Sequence, residues 1–115
     1  MAISTTQDVT ADFNADGSAN VDLSGWDSAT VQLIGPAAAV SFLGSNDDGS
    51  VTGSVQGSVF SALNFTALFM TNLATGVGAT TGAVAGLWRS NALPRFLQLT
   101  GTTATKILVF LSKID

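Results

Sequence analysis

The stretch TKILVFLSKI, residues 105 to 114, constrains the fold more than any other part of the chain. Side chains on a strand point alternately to opposite faces, so Ile107, Val109 and Leu111 lie on one face and Leu108, Phe110 and Ile114 on the other. Apolar residues on both faces imply burial on both faces. In a two-layer sandwich one face of each strand normally meets solvent, so this strand calls for a second cover, from a loop or from a neighbouring subunit. Replacing Phe110 by Asp is expected to prevent assembly if that cover is another subunit.

The rest of the chain follows the same period of two. Val9, Ala11 and Phe13 alternate with polar neighbours, as do Val21 and Leu23, and the NADGSA segment between them reads as a hairpin turn. Ala29, Val31 and Leu33 form a strand that stops at Gly35-Pro36, where proline can no longer donate to a ladder. Val40 and Phe42 share a face of the next strand. RFLQLT, at 95 to 100, joins the closing strand through GTTA in the manner of a short hairpin. The expectation is an all-β chain: one antiparallel β-sandwich, jelly-roll-like, of seven or eight strands over residues 7–115, preceded by a flexible segment over residues 1–6.

Composition supports this reading. The chain has 115 residues, 46% hydrophobic and only 10% charged, enough for one core and too apolar for disorder. Every acidic residue is Asp, and the absence of Glu among abundant Thr, Ser, Val and Gly favours strands and turns over helices. With no Cys, stability must come from packing alone. The net charge of −4 sets eight Asp against Arg89, Arg95, Lys106 and Lys113, which argues against nucleic-acid binding. No secretory signal is read in MAISTTQDVTADF, and no run approaches the length of a membrane span.

From Gly49 through Trp88 no residue is charged, yet the run contains Phe60, Phe65, Phe69 and Met70. Either these strands are central with neutral turns, or part of this surface meets another subunit, since interface cores lose charge and gain aromatics and Met. The candidate subunit interface is therefore Phe60, Phe65, Phe69, Met70, Leu108, Phe110 and Ile114.

Catalytic chemistry finds little to work with. His is absent, and Asp47 and Asp48 in LGSNDDGSV lie in a turn with nothing to shift their pKa values. Calcium tolerates Asn, Ser and carbonyl ligands, but neither Asn14, Asp16 and Asn20 nor Asn46, Asp47 and Asp48 has the spacing of a known loop with a distant Glu. Both loops read as Asx-Gly turns. No enzyme, cofactor or metal is expected. Trp26 and Trp88 are candidate stacking platforms for a host glycan, or else seals at the ends of the core.

Two blocks carry a resemblance. WDSATVQLIGPAAAVSFLGSNDDG, residues 26 to 49, places a Trp before a V-x-L-x-G strand, then a strand ending F-x-G-S and an Asp-Gly turn. AGLWRSNALPRFLQLTGTTATKILVFLS, residues 85 to 112, leads from a small-residue turn into Arg-Phe-Leu-x-Leu and the closing strand. The succession resembles small β-sandwich modules in structural proteins of tailed bacteriophages, found in head decoration proteins and in tail or baseplate components. It departs from that pattern by the extra residue in Asn-Asp-Asp-Gly and by the lack of an aromatic after it. The resemblance implies a non-enzymatic virion protein, best matched by a head decoration or cement protein. Its implied partners are copies of itself, with a trimer favoured, and the phage major capsid protein. It would be made in the host cytoplasm and placed on the outer surface of the head. The competing reading is a tail, baseplate or adhesin module binding a glycan through Trp26 or Trp88.

Overall fold

The computed structural model describes residues 2–35, 39–46, 65–82, 86–90, 93–101 and 105–114. Among them the elements run β1 (Ala2–Asp8), α1 (Thr10–Asp16), β2 (Ser18–Asp22), β3 (Ser28–Ile34), β4 (Val40–Ser45), β5 (Thr66–Ala67), β6 (Met70–Asn72), β7 (Gly78–Ala79), β8 (Thr81–Gly82), β9 (Gly86–Ser90), β10 (Phe96–Gly101) and β11 (Lys106–Ile114). One sheet has the order β1-β11-β3-β9-β6-β7; the other runs β2-β10-β4-β5, with β8 also paired to β4. All of these pairings are antiparallel. The fold is the expected antiparallel sandwich. Seven strands have five residues or more, and the remaining four are two- or three-residue pieces between Thr66 and Gly82.

The alternation read from the sequence sets the core. Val31 and Leu33 of β3 and Ile107, Val109 and Leu111 of β11 point inward from the larger sheet, each at most 1% exposed. They meet Ala19 and Val21 of β2, Val40 and Phe42 of β4, and Leu97 and Leu99 of β10, which are as deeply buried. Each such aliphatic or aromatic side chain stabilises the fold by roughly 1.5–3 kcal/mol relative to exposure. Trp88 of β9 belongs to this core, its ring 5.4 Å from that of Phe42. Its seat depends on Gly82, where a β-carbon would lie 3.0 Å from the Trp88 ring and 3.1 Å from both Leu33 and Phe42.

Four local expectations change. Residues 2–6, expected to be flexible, belong to β1, which runs in unbroken register against β11 from Ala2↔Ile114 to Asp8↔Leu108. Polar composition suggested mobility there, but an edge strand needs only backbone pairing. Val9 to Phe13 is not a strand: Thr10–Asp16 is a helix, with Val9 and Phe13 four residues apart, both buried, and Ala11 exposed. Three alternating residues fit a helical i, i+4 spacing as well as a strand. The Asp-Gly pair closes no hairpin: it ends the helix, where Gly17 takes the left-handed conformation (φ 73°) and donates its N–H to the Phe13 carbonyl, and β2 pairs with β10. GTTA does not close a hairpin, because β10 pairs with β2 and β4 while β11 pairs with β1 and β3. The chain there crosses from one sheet to the other.

Candidate protein-docking face

The outward residues of β11 define the site. With Ile107, Val109 and Leu111 committed to the core, alternation turns Leu108, Phe110 and Ile114 away from it. Cross-strand register then assembles two rows on the outer surface of the larger sheet. Thr6, Phe110, Thr30, Arg89 and Thr71 form one row, from β1 through β11, β3 and β9 to β6. Asp8, Leu108, Gln32 and Leu87 form the other. Thr6, Thr30, Gln32, Leu87, Leu108 and Phe110 line a shallow depression of about 370 Å³. Phe110 and Leu87 are each 43% exposed and Ile114 is 82% exposed. Apolar side chains at the middle of the patch, with Thr and Gln between them and charges at the margins, is the arrangement of a protein-binding surface.

At one margin a compact polar knot holds the site to the fold. Asp8 Oδ1 accepts the Thr10 hydroxyl at 2.6 Å and the Thr10 backbone N–H at 3.0 Å. The same hydroxyl accepts the Ile107 N–H at 2.8 Å, so β1, the start of α1 and β11 are tied together. Lys106 Nζ lies 3.1 Å from Asp8 Oδ2. The Thr10 hydroxyl first, then its N–H, then Lys106 lower the Asp8 pKa from 3.8 to about 2. A depressed carboxylate pKa contributes stability that is full above pH 3.8 and is lost as pH falls through about 2. Carboxyl NMR of Asp8 is expected to titrate with a midpoint near 2 and to move back toward 3.8 in Thr10→Ala. An unshifted midpoint in the wild type would mean that the knot is not formed in solution.

The structure sorts the expected interface residues. Leu108, Phe110 and Ile114 share the outer face as read. Met70 does not belong with them: it is fully buried, because its strand points it inward opposite Ser90 and away from Thr71. Phe69 is 64% exposed but sits beside β6, three strands from β11, against Gly78, where a β-carbon would lie 2.6 Å from the Phe69 ring. Phe65 is half-buried and immediately precedes β5, which belongs to the smaller sheet. Phe60 lies outside the described residues, as do Asp47 and Asp48. Leu87 was not anticipated, although its neighbour Trp88 carries the signal: once the larger ring faces inward, Leu87 must face outward.

Of the two tryptophans, Trp88 is 5% exposed and cannot stack on a sugar. Trp26 is half-buried just before β3, near the end of β11, in an open cleft with Ser24, Asn46, Pro94 and Arg95. Its ring packs partly on the core, and Lys113 Nζ lies 5.2 Å from the ring centre. Asn46 of that cleft accepts the Arg95 N–H at 2.9 Å. Among the described residues no three His, Cys, Asp or Glu side chains come together as a metal site. No helix there is long and apolar enough to cross a membrane.

No protein-family model matches the chain, and no curated protein sequence does. Among solved structures the SPBc2 prophage-derived protein YomS is similar, with a TM-score of 0.65 and 12% identity, over 98% of this chain and 96% of that one. At that identity the likeness is one of fold, and it extends over nearly the full length of both chains.

Proposed function

We propose that this chain is a non-enzymatic structural protein of a tailed-bacteriophage virion, acting as a decoration or cement protein on the outside of the head. The observation that carries the reading is the apolar centre of the outer face of β1, β11, β3 and β9, where Phe110, Leu108 and Leu87 line a depression open to solvent. Laid against the major capsid protein, that face would bury its apolar side chains and leave Asp8, Lys106 and Arg89 on a polar rim. Fold likeness to a prophage-derived protein supports a phage setting. A protein that binds only assembled shells stabilises them by mass action, and a net charge of −4 on the outer layer keeps particles apart in solution.

The glycan-binding alternative rests on Trp26 alone, with one side of its ring on the core and Lys113 beside it. The docking reading is tested by sedimenting the purified protein with undecorated heads. Saturable co-sedimentation, and heads that resist heat better when coated, are the expected results. Protein that stays in the supernatant at every concentration would reject the head assignment.

A further inference from the structure

We propose that two copies of this chain join edge to edge through β1, antiparallel about a two-fold axis at Thr5, making one continuous twelve-stranded sheet. β1 is the outer strand of its sheet, and among the described residues only β11 pairs with it. Its side chains are exposed except for the half-buried Thr5, with Ala2 undescribed in this respect, and among the described residues none besides β11 pairs along the strand. Long edge strands are normally blocked by charge, proline or a bulge. Residues 2–7 contain no charge and no proline, and the register with β11 is unbroken. The other long edge, β2, ends in Asp22 and contacts α1, while β5 and β7 have two residues each.

Hydrogen-bond alternation says which groups are on offer. The Val9 N–H donates to the Ile107 carbonyl at 3.1 Å, and the Asp27 N–H to the Ser112 carbonyl at 2.9 Å. Odd residues of β11 therefore bond toward β1 and even residues toward β3. By the same alternation Ile3, Thr5 and Gln7 bond to β11, leaving Ala2, Ser4, Thr6 and Asp8 to direct their N–H and C=O groups to the open edge.

A second copy is the occupant these groups fit. Full antiparallel overlap of the strand with itself sets Ser4 against the partner's Thr6, Ala2 against the partner's Asp8 and Thr5 against the partner's Thr5. Ala2, Ser4, Thr6 and Asp8 then each face an outward-bonding residue of the partner, Thr5 meets the partner's Thr5 in a non-hydrogen-bonded pair, and hydroxyl-bearing pairs are favourable across strands. The only charge, Asp8, is paired with Lys106, and the two copies of it fall at opposite ends of the overlap, about 20 Å apart at ~3.4 Å per residue. The contact is isologous, so it closes at two chains. It also sets both Phe110 faces on the same side of one sheet, where they can grip a particle together. A two-fold is the symmetry this edge dictates, where sequence alone favoured a trimer.

Light scattering on the free protein tests this without any particle, so its failure is separate from failure of the decoration reading. The expected mass is twice the 11.6 kDa of one chain. Thr6→Pro removes an outward N–H and keeps the ladder to β11, so it is expected to give a folded monomer. Thr5→Cys, in a chain without other cysteines, is expected to cross-link on oxidation through directly opposed residues, whereas Ser4→Cys is not. A monomer or trimer in the wild type, a folded Thr6→Pro that stays dimeric, or a Thr5→Cys that does not cross-link would overturn the proposal. If Thr6→Pro fails to fold, the cysteine pair still decides.

Discussion

Phe13→Ala is expected to lower unfolding free energy by about 3–5 kcal/mol, the usual cost of emptying a buried aromatic site. Phe13 is fully buried on a seven-residue helix that contacts β2, β10 and β11, so its ring plugs the place where the chain leaves one sheet for the other. Collapse around the hole is opposed on two sides. Its ring tip lies where a β-carbon on Gly101 would be 3.2 Å away, and its carbonyl holds the Gly17 N–H that ends the helix. A domain of this size commonly has only about 5–15 kcal/mol in total, so the urea midpoint is expected to fall by a large fraction. A loss under about 1 kcal/mol would mean that the helix is a detachable ornament and that the two sheets hold without it.

Phe110→Asp is expected to do the opposite, leaving the urea midpoint within about 1 kcal/mol of wild type while weakening head binding by roughly a hundredfold or more. The side chain already meets solvent, flanked by Thr6, Thr30 and Leu108, so a carboxylate there stays hydrated in the free protein. Against a capsid subunit the same carboxylate would be desolvated without a partner, which is costly. Binding isotherms by co-sedimentation, beside urea curves on the same preparation, separate the two effects. Equal affinity would move the docking face elsewhere. A collapsed midpoint would make Phe110 a core residue in spite of its exposure. Because Phe110 is not on the β1 edge, this variant should remain as dimeric as the wild type, whereas Thr6→Pro loses the dimer first.

What could be read in advance was whatever depends on neighbours in sequence. Val31 with Leu33, and Ile107 with Val109 and Leu111, declare a common face by spacing alone, and Gly35-Pro36 declares where β3 must stop. The two-sided closing strand likewise pointed to an uncovered apolar surface, and that surface is where the candidate site lies. What could not be read depends on partners far along the chain. GTTA looked like a hairpin because nothing local distinguishes a turn back along one sheet from a step across to the other. Residues 2–6 looked idle because their partner, β11, is more than a hundred positions away. Met70 looked like interface material because an uncharged run suits a core and a contact equally. Its direction is decided by the pairing with Ser90.

The place of β11 between β1 and β3 also sets a timetable for synthesis. A ribosome releases β1 and β3 early, but neither can bond to the other, since the strand that separates them comes last in this sequence. Until residues 106–114 clear the exit tunnel, β1 is cut off from the rest of the larger sheet, and Val31 and Leu33 lack their neighbours on that side. Pairings of such long sequence separation form slowly. Throughout the synthesis of the segment between β3 and β11 the nascent chain therefore holds open strand edges, in the state where chaperones bind and where crowded copies aggregate. Production of the protein in quantity would be governed by that waiting period more than by the stability of the finished sandwich.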